Sequence, residues 1–217
     1  MRRALVLGAT GLVGGEVVRL LLEQPEYERV VVLVRRGLGW SHPRLEQRVV
    51  EFDRLAEQRE AFAVDDLYCC LGTTIRKAGS QAAFRRVDYE YPLTAARLAK
   101  EAGVQRYLLV SSMGADPNSA IFYSRVKGEM EQAIAAVGLP SLLIFRPSLL
   151  LGERQEVRPA ERVAAVIMRA MGPLMVGPLA RYRAVEGRTV ARAMIRVALE
   201  GPTGVHRCLN DQILRLG

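Results

Sequence analysis

No run of apolar residues in this chain approaches the ~18 that a membrane-spanning helix requires. Cysteine is scarce: the three include the adjacent pair Cys69-Cys70, which has neither the spacing of a zinc site nor the density of a disulfide framework. The two histidines, His42 and His206, stand apart and carry no role. Lysine is rarer still among the cations, three of the 31 basic residues, and the arginines are scattered without a basic run or interleaved aromatics. A net charge of +8 distributed in that way argues against a nucleic-acid surface and suits a protein that draws anionic phosphates into a cleft. The opening Met1-Arg2-Arg3 and the apolar residues after it imitate a signal peptide. Glu16 and Arg19 interrupt the run and no small-residue cleavage site follows, so the expected location is the cytoplasm, with no membrane partner.

What is present is alternation. Short β-branched runs predict strands at Arg3–Leu7, Val30–Val34, Arg48–Phe52, Asp66–Leu71, Tyr107–Ser112 and Ser141–Arg146. Helical periods between them predict helices at Val13–Leu22, Tyr91–Ala102 and Tyr123–Val137, with Gly103 and Gly138 where helix C-caps want glycine, and a last helix near Thr189–Glu200. The pattern is that of βαβ units, and the predicted fold is α/β: a Rossmann-type doubly wound parallel sheet with helices on both faces. At 217 residues the whole chain, 1–217, suits one such domain, and the turn-rich stretch after Pro147 predicts a small substrate lobe or lid over residues 147–186.

The first strand runs into Gly8-Ala-Thr10-Gly11-Leu12-Val13-Gly14-Gly15 and then into a helix. A dinucleotide site needs a tight turn after the strand, a residue without Cβ where backbone meets pyrophosphate, and another where helix packs on sheet. Gly8, Gly11 and Gly14 match those needs, with the pyrophosphate at the helix N-terminus. NAD-selective sites place an acid at the end of the second strand. Here Arg35-Arg36 stand there, and two guanidiniums fit the 2′-phosphate of NADP. Asp53, after the third strand, is a candidate for the adenine amino group or an ordinary surface turn.

The fifth strand ends in Ser111-Ser112, and eleven residues on Tyr123 and Lys127 lie four apart on one helical face. Reducing a ketone calls for a proton as hydride arrives. A phenol beside an ammonium supplies it, and a hydroxyl polarises the carbonyl. Tyr123, Lys127 and Ser112 suit these roles. Cys69 and Cys70 are expected as buried strand residues rather than redox partners.

With these residues in place the sequence resembles the atypical and extended short-chain dehydrogenase/reductases. Cys69-Cys-Leu-Gly-Thr-Thr74, Lys77-Ala-Gly79, Val87-Asp88, Ser111-Ser-Met-Gly-Ala-Asp116, Tyr123-Ser-Arg-Val-Lys-Gly-Glu129, Phe145-Arg-Pro147 and Arg154-Gln-Glu-Val-Arg-Pro159 are similar, more narrowly, to the Tat-interacting oxidoreductase-like (CC3) family. The resemblance implies an NADP(H) cofactor with its pyrophosphate on Thr10 to Gly15 and its 2′-phosphate on Arg35 and Arg36. It also implies Leu71 and Gly72 flanking the adenosine half, Tyr123 and Lys127 at the nicotinamide ribose, and Leu150 with Arg158 at the far end. Many extended members place Asn early in the fourth helix as part of a proton relay, and Val87-Asp88 stands at that place here. The chain is also about a third shorter than sugar-nucleotide epimerases, which disfavours a large substrate. The expected activity is therefore NADP(H)-dependent hydride transfer to or from a small carbonyl or alcohol. The competing reading is a non-catalytic protein whose NADPH occupancy alters its affinity for a protein partner. A homodimer through the helices holding Tyr91 and Tyr123 is expected by fold analogy alone.

Overall fold

Strand residues alternate between two cores, and that alternation explains the architecture. In the computed structural model, which describes residues 1–151 and 181–217, six strands precede Pro147: β1 (Arg2–Leu7), β2 (Tyr27–Val34), β3 (Leu45–Val49), β4 (Asp66–Cys69), β5 (Arg106–Val110) and β6 (Ser141–Arg146). The short β7 (Leu150–Leu151) and β8 (Val185–Glu186) pair with one another, and β9 (Gly204–Leu209) joins the main sheet. The order is β3-β2-β1-β4-β5-β6-β9 with seven strands, and each neighbouring pair is parallel. On β1, Ala4 and Val6 enter one core while Leu5 and Leu7 enter the other. Burial on both faces is why such strands read as unbroken apolar runs, and each fully buried Val or Leu contributes roughly 1.5–3 kcal/mol.

Among the described residues there are seven α-helices: α1 (Leu12–Glu23), α2 (Ile75–Ala78), α3 (Gln81–Arg85), α4 (Tyr91–Glu101), α5 (Phe122–Ala135), α6 (Gly187–Glu200) and α7 (Asn210–Leu216). Buried side chains of α1 and α6 line one core, those of α4 and α5 the other. Gly187 sets the contact between α1 and α6, since a Cβ there would lie 2.7 Å from the Leu12 carbonyl oxygen. The chain runs outward from β1 to β3, then returns to β4 beside β1. In open parallel sheets the ligand crevice opens at that reversal, outside the carboxyl ends of the strands.

The opposite, amino-terminal end of the sheet is closed by a polar network. Asp66 is fully buried at the start of β4. The Tyr27 hydroxyl donates to its Oδ2 at 2.5 Å, Arg106 Nε donates to its Oδ1, and Arg2 lies 3.8 Å away. The Tyr27 and Tyr68 hydroxyls are 2.9 Å apart. Burial pushes the Asp66 carboxyl up, against the pull of Tyr27, Arg106 and Arg2.

Most of the expected elements are present, and the departures have reasons. The strand predicted at Arg48–Phe52 is displaced to Leu45–Val49, because Phe52 turns into the core as the first residue of a 3-10 turn, Phe52–Glu57. The strands predicted to reach Leu71 and Ser112 end at Cys69 and Val110, freeing those residues for the crevice. β9 was not anticipated. It is an edge strand, exposed along most of its length, and Gly-Val-His-Arg-Cys-Leu shows little of a buried strand's character. Gly103 and Gly138 do take left-handed backbone just beyond α4 and α5. Among the described residues no helix is long and apolar enough to cross a membrane.

Candidate active site

The glycine-rich turn after β1 follows from two close approaches. Gly8 has φ +83°, and a Cβ on it would stand 2.4 Å from the Cys70 carbonyl oxygen, so only glycine lets the end of β1 pass beside the end of β4. A Cβ on Gly14 would stand 2.2 Å from the Gly8 carbonyl oxygen, so glycine also lets α1 settle on the strand end. Gly11 closes the turn, its N–H donating to Gly8 O at 2.9 Å, and it has no neighbour nearer than 3.2 Å to a would-be Cβ. The amino end of α1 begins at Gly11 with no side-chain cap and no acid in its first turn, which leaves its N–H groups and dipole for an anion. Thr10 is exposed, Leu12 and Gly15 are half-buried, and the Val13 side chain is in the core, so Val13 has only its backbone to offer.

Arg35 and Arg36 are exposed just past β2, and among the described residues neither forms an ion pair. Nearby, Tyr91 donates to Asp53 Oδ1 at 2.7 Å, and Arg86 lies 3.9 Å from the same oxygen. Burial and the Asp53 carboxylate push the Tyr91 phenol up to about 12, while Arg86 and Arg35 pull the other way. Asp53 thus lies in a 3-10 turn tied to α4 rather than directly behind a strand. Leu71 is half-buried and Gly72 exposed at the exit of β4. Leu150 belongs to β7, and Arg158 lies outside the described residues, as does most of the expected lobe over 147–186.

The second half of the site is assembled on α5. The segment after β5 is laid across its first turns: Asp116 N donates to Ser124 O at 3.0 Å, and a Cβ on Gly128 would be 2.2 Å from Pro117 N. Met113 N donates to Pro147 O at 3.0 Å, which fixes the same segment to the exit of β6. Ser111 and Ser112 sit where β5 ends, and the Oγ of each is buried without a hydrogen-bond partner among the described residues. Tyr123 is half-buried, its ring 5.6 Å from that of Phe84. One turn on, Lys127 is almost wholly buried, and its Nζ lies 2.7 Å from Asp88 Oδ1. At that distance the contact is a close, buried ion pair, with Asp88 as the counter-charge of the ammonium. Asp88 Oδ2 accepts from Thr73 N at 2.8 Å. Burial works against the Lys127 ammonium, but Asp88 and Tyr123 together outweigh it and hold the lysine above its ordinary value.

Two residues that bear on this end of the fold were not read from the sequence as site residues. Asp88 stood out there only as a departure from Asn, since its partner Lys127 is distant in the chain. Asn210 gave no signal at all. It is buried at the start of α7, where its Oδ1 accepts from Ser148 N at 3.0 Å and its Nδ2 donates to Arg183 O at 2.7 Å. Cys69 and Cys70 are free, and burial pushes both thiols up, away from reactive thiolate.

A glycine-rich turn at the sheet's reversal, followed by a basic pair past β2 with no ion pair among the described residues, has the geometry that a dinucleotide site requires. Residues 8–170 match the family described as NAD(P)H-binding. The chain belongs to that family. Among its relatives, Protein HTATIP2 of Rattus norvegicus is 39% identical over 217 residues, covering 98% of this chain and 88% of the relative. The protein named FMP52, mitochondrial, of Debaryomyces hansenii is 32% identical over 203 residues, covering 91% and 88%. This NAD(P)H-binding protein shares its fold with solved epimerase-type structures at low identity. The UDP-glucose 4-epimerase of Thermotoga maritima superposes with TM-score 0.70 at 17% identity over 98% of this chain and 80% of that one. The Bordetella bronchiseptica enzyme WbmH, in complex with NAD+, does so with TM-score 0.70 at 17% identity over 95% and 75%.

These names correct one expectation. Several relatives are named mitochondrial, so the cytoplasmic assignment does not stand. The error has a physical cause: a compartment is an address read by receptors, and the composition of a folded body does not encode it.

Proposed function

We propose that this NAD(P)H-binding protein is an NADP(H)-dependent oxidoreductase that moves hydride to or from a small carbonyl or alcohol. The observation that carries the reading is the juxtaposition on α5 of Tyr123 and the buried, charged Lys127, with the unpaired Ser111 and Ser112 hydroxyls at the end of β5. The glycine cradle and the uncapped α1 terminus fit a pyrophosphate, and the orphaned hydroxyls fit a ligand oxygen. When bound, the nicotinamide supplies or accepts the hydride. Ser112 Oγ holds the substrate oxygen, Tyr123 Oη gives or takes its proton, and Lys127 Nζ orients the nicotinamide ribose. Arg35 and Arg36 hold the 2′-phosphate, Leu71 and Gly72 flank the adenosine half, and Leu150 with Arg158 meets the far end.

The test is a titration of NADPH and NADH, followed by quenching of the single tryptophan, Trp40, and by thermal shift, in wild type and in Arg35→Ala/Arg36→Ala. Preference for NADPH that vanishes in the double variant supports the cofactor assignment. A panel of small carbonyl compounds then follows, with Tyr123→Phe as control. NADPH binding without consumption against any of them favours the competing reading, in which occupancy is signalled to a protein partner.

A further inference from the structure

Asp88 has no part in the reading above, yet it is the buried carboxylate nearest the chemistry. It is fully buried in a π turn, Arg86–Glu90, that joins α3 to α4, and such widened turns recur at functional sites. Its two oxygens reach two different parts of the cofactor crevice. Oδ1 lies 2.7 Å from Lys127 Nζ on α5, and Oδ2 accepts at 2.8 Å from the Thr73 amide, directly after the Leu71-Gly72 exit of β4. Gly72 packs directly beside the pair: a Cβ there would stand in ordinary contact, 3.5 Å from Asp88 Oδ1 and 3.9 Å from Lys127 Nζ.

The other groups around the ammonium do not replace this carboxylate. Tyr123 comes from the same helix, and Cys69, at the end of β4, is a thiol that burial keeps protonated. Glu131, one turn further along α5, is committed to Arg146 at 2.6 Å and Arg207 at 3.5 Å. An amide in place of Asp88 would still accept from Thr73 but would leave a buried ammonium without a counter-charge.

We propose that Asp88 is a positioning residue for the cofactor: it holds Lys127 charged and in place, and ties it to the β4 exit, so that the nicotinamide ribose meets a lysine already fixed. This rests on the assignment of Lys127 to that ribose. The role differs from that of an amide ordering a water, because the group contacts the lysine itself.

Three lysines in the chain, Lys77, Lys100 and Lys127, make the test direct. Lysine-labelled protein is titrated by NMR without cofactor, and NADPH affinity is measured from about pH 7 to about pH 9, in wild type, Asp88→Asn and Asp88→Glu. In Asp88→Asn the Lys127 resonance is expected to titrate within that range, at least about two pH units below its wild-type position, and NADPH affinity to fall about tenfold further across that range than in wild type. Asp88→Glu should recover part of both. A Lys127 titration unchanged in Asp88→Asn overturns the proposal. A lowered titration with an unchanged NADPH profile overturns the cofactor role and places the ribose elsewhere, whereas wild type that binds no NADPH overturns the functional reading beneath it. Should Asp88→Asn fail to fold, Asp88→Asn/Lys127→Met is expected to fold, because it removes the uncompensated charge; failure of that double variant also counts against the proposal.

Discussion

The two ends of the parallel sheet are built on opposite rules. At the amino-terminal end both oxygens of the buried Asp66 are occupied, by Tyr27 and Arg106, and the Tyr27 and Tyr68 hydroxyls meet each other. At the carboxyl end the Oγ atoms of Ser111 and Ser112 are buried without a hydrogen-bond partner among the described residues, while Asp88 Oδ1 is held only by its ion pair with Lys127. Folded chains rarely leave such atoms unpaired, because each costs about 1–3 kcal/mol. One end is closed for stability, and the other retains the capacity to bind.

Substitutions at the two ends should therefore separate stability from function. The largest effect is expected from Tyr123→Phe, which should cut carbonyl-dependent NADPH consumption by about 10²–10⁴-fold while leaving the chemical-denaturation midpoint nearly unchanged. An equally active variant would remove Tyr123 from the chemistry. Next, Asp66→Ala should lower the unfolding free energy by about 3 kcal/mol, since it strands Arg106 and two phenols, with NADPH affinity of the folded fraction unaltered. A loss of affinity in folded Asp66→Ala would break the comparison. Gly8→Ala belongs to both categories: left-handed backbone and the Cys70 carbonyl oppose a methyl there, so about 1–2 kcal/mol of stability and at least tenfold in NADPH affinity should go together. The smallest effect is the most diagnostic. Ser111→Ala removes a polar atom that has no partner, so unliganded protein should be unchanged or more stable by up to about 1 kcal/mol in thermal unfolding. A clear loss of stability there would mean that the hydroxyl is satisfied within the fold.

How much of this the sequence discloses depends on whether the cause is local. β6 and the start of α4 are legible to the residue, because an apolar run bounded by turn formers and a period ending in glycine are local signals. The phosphate loop is legible because its glycines answer to contacts only a few residues away, Gly8 with Gly11 and Gly14. Gly8 against Cys70 is a tertiary contact, and chain spacing says nothing of it. β9 escapes for a different reason: as an exposed edge strand it need not be apolar. Asp88 and Asn210 escape because their partners, Lys127 in one case, Ser148 and Arg183 in the other, come from remote parts of the chain.

The clamp at Asn210 also bears on how this scaffold can diversify. β7 and β8 lie side by side, Val185 N donates to Leu149 O at 2.9 Å, and Asn210 links Ser148 to Arg183. Leu150–Leu151 and Val185–Glu186 are thereby held about one strand spacing apart, roughly 5 Å. An excursion whose two ends are held together in this way can be lengthened or exchanged at a cost that grows only with the logarithm of its length, and it exerts little pull on the sheet. A change in the length of chain between these two strands is therefore expected to leave the seven-stranded sheet as it is.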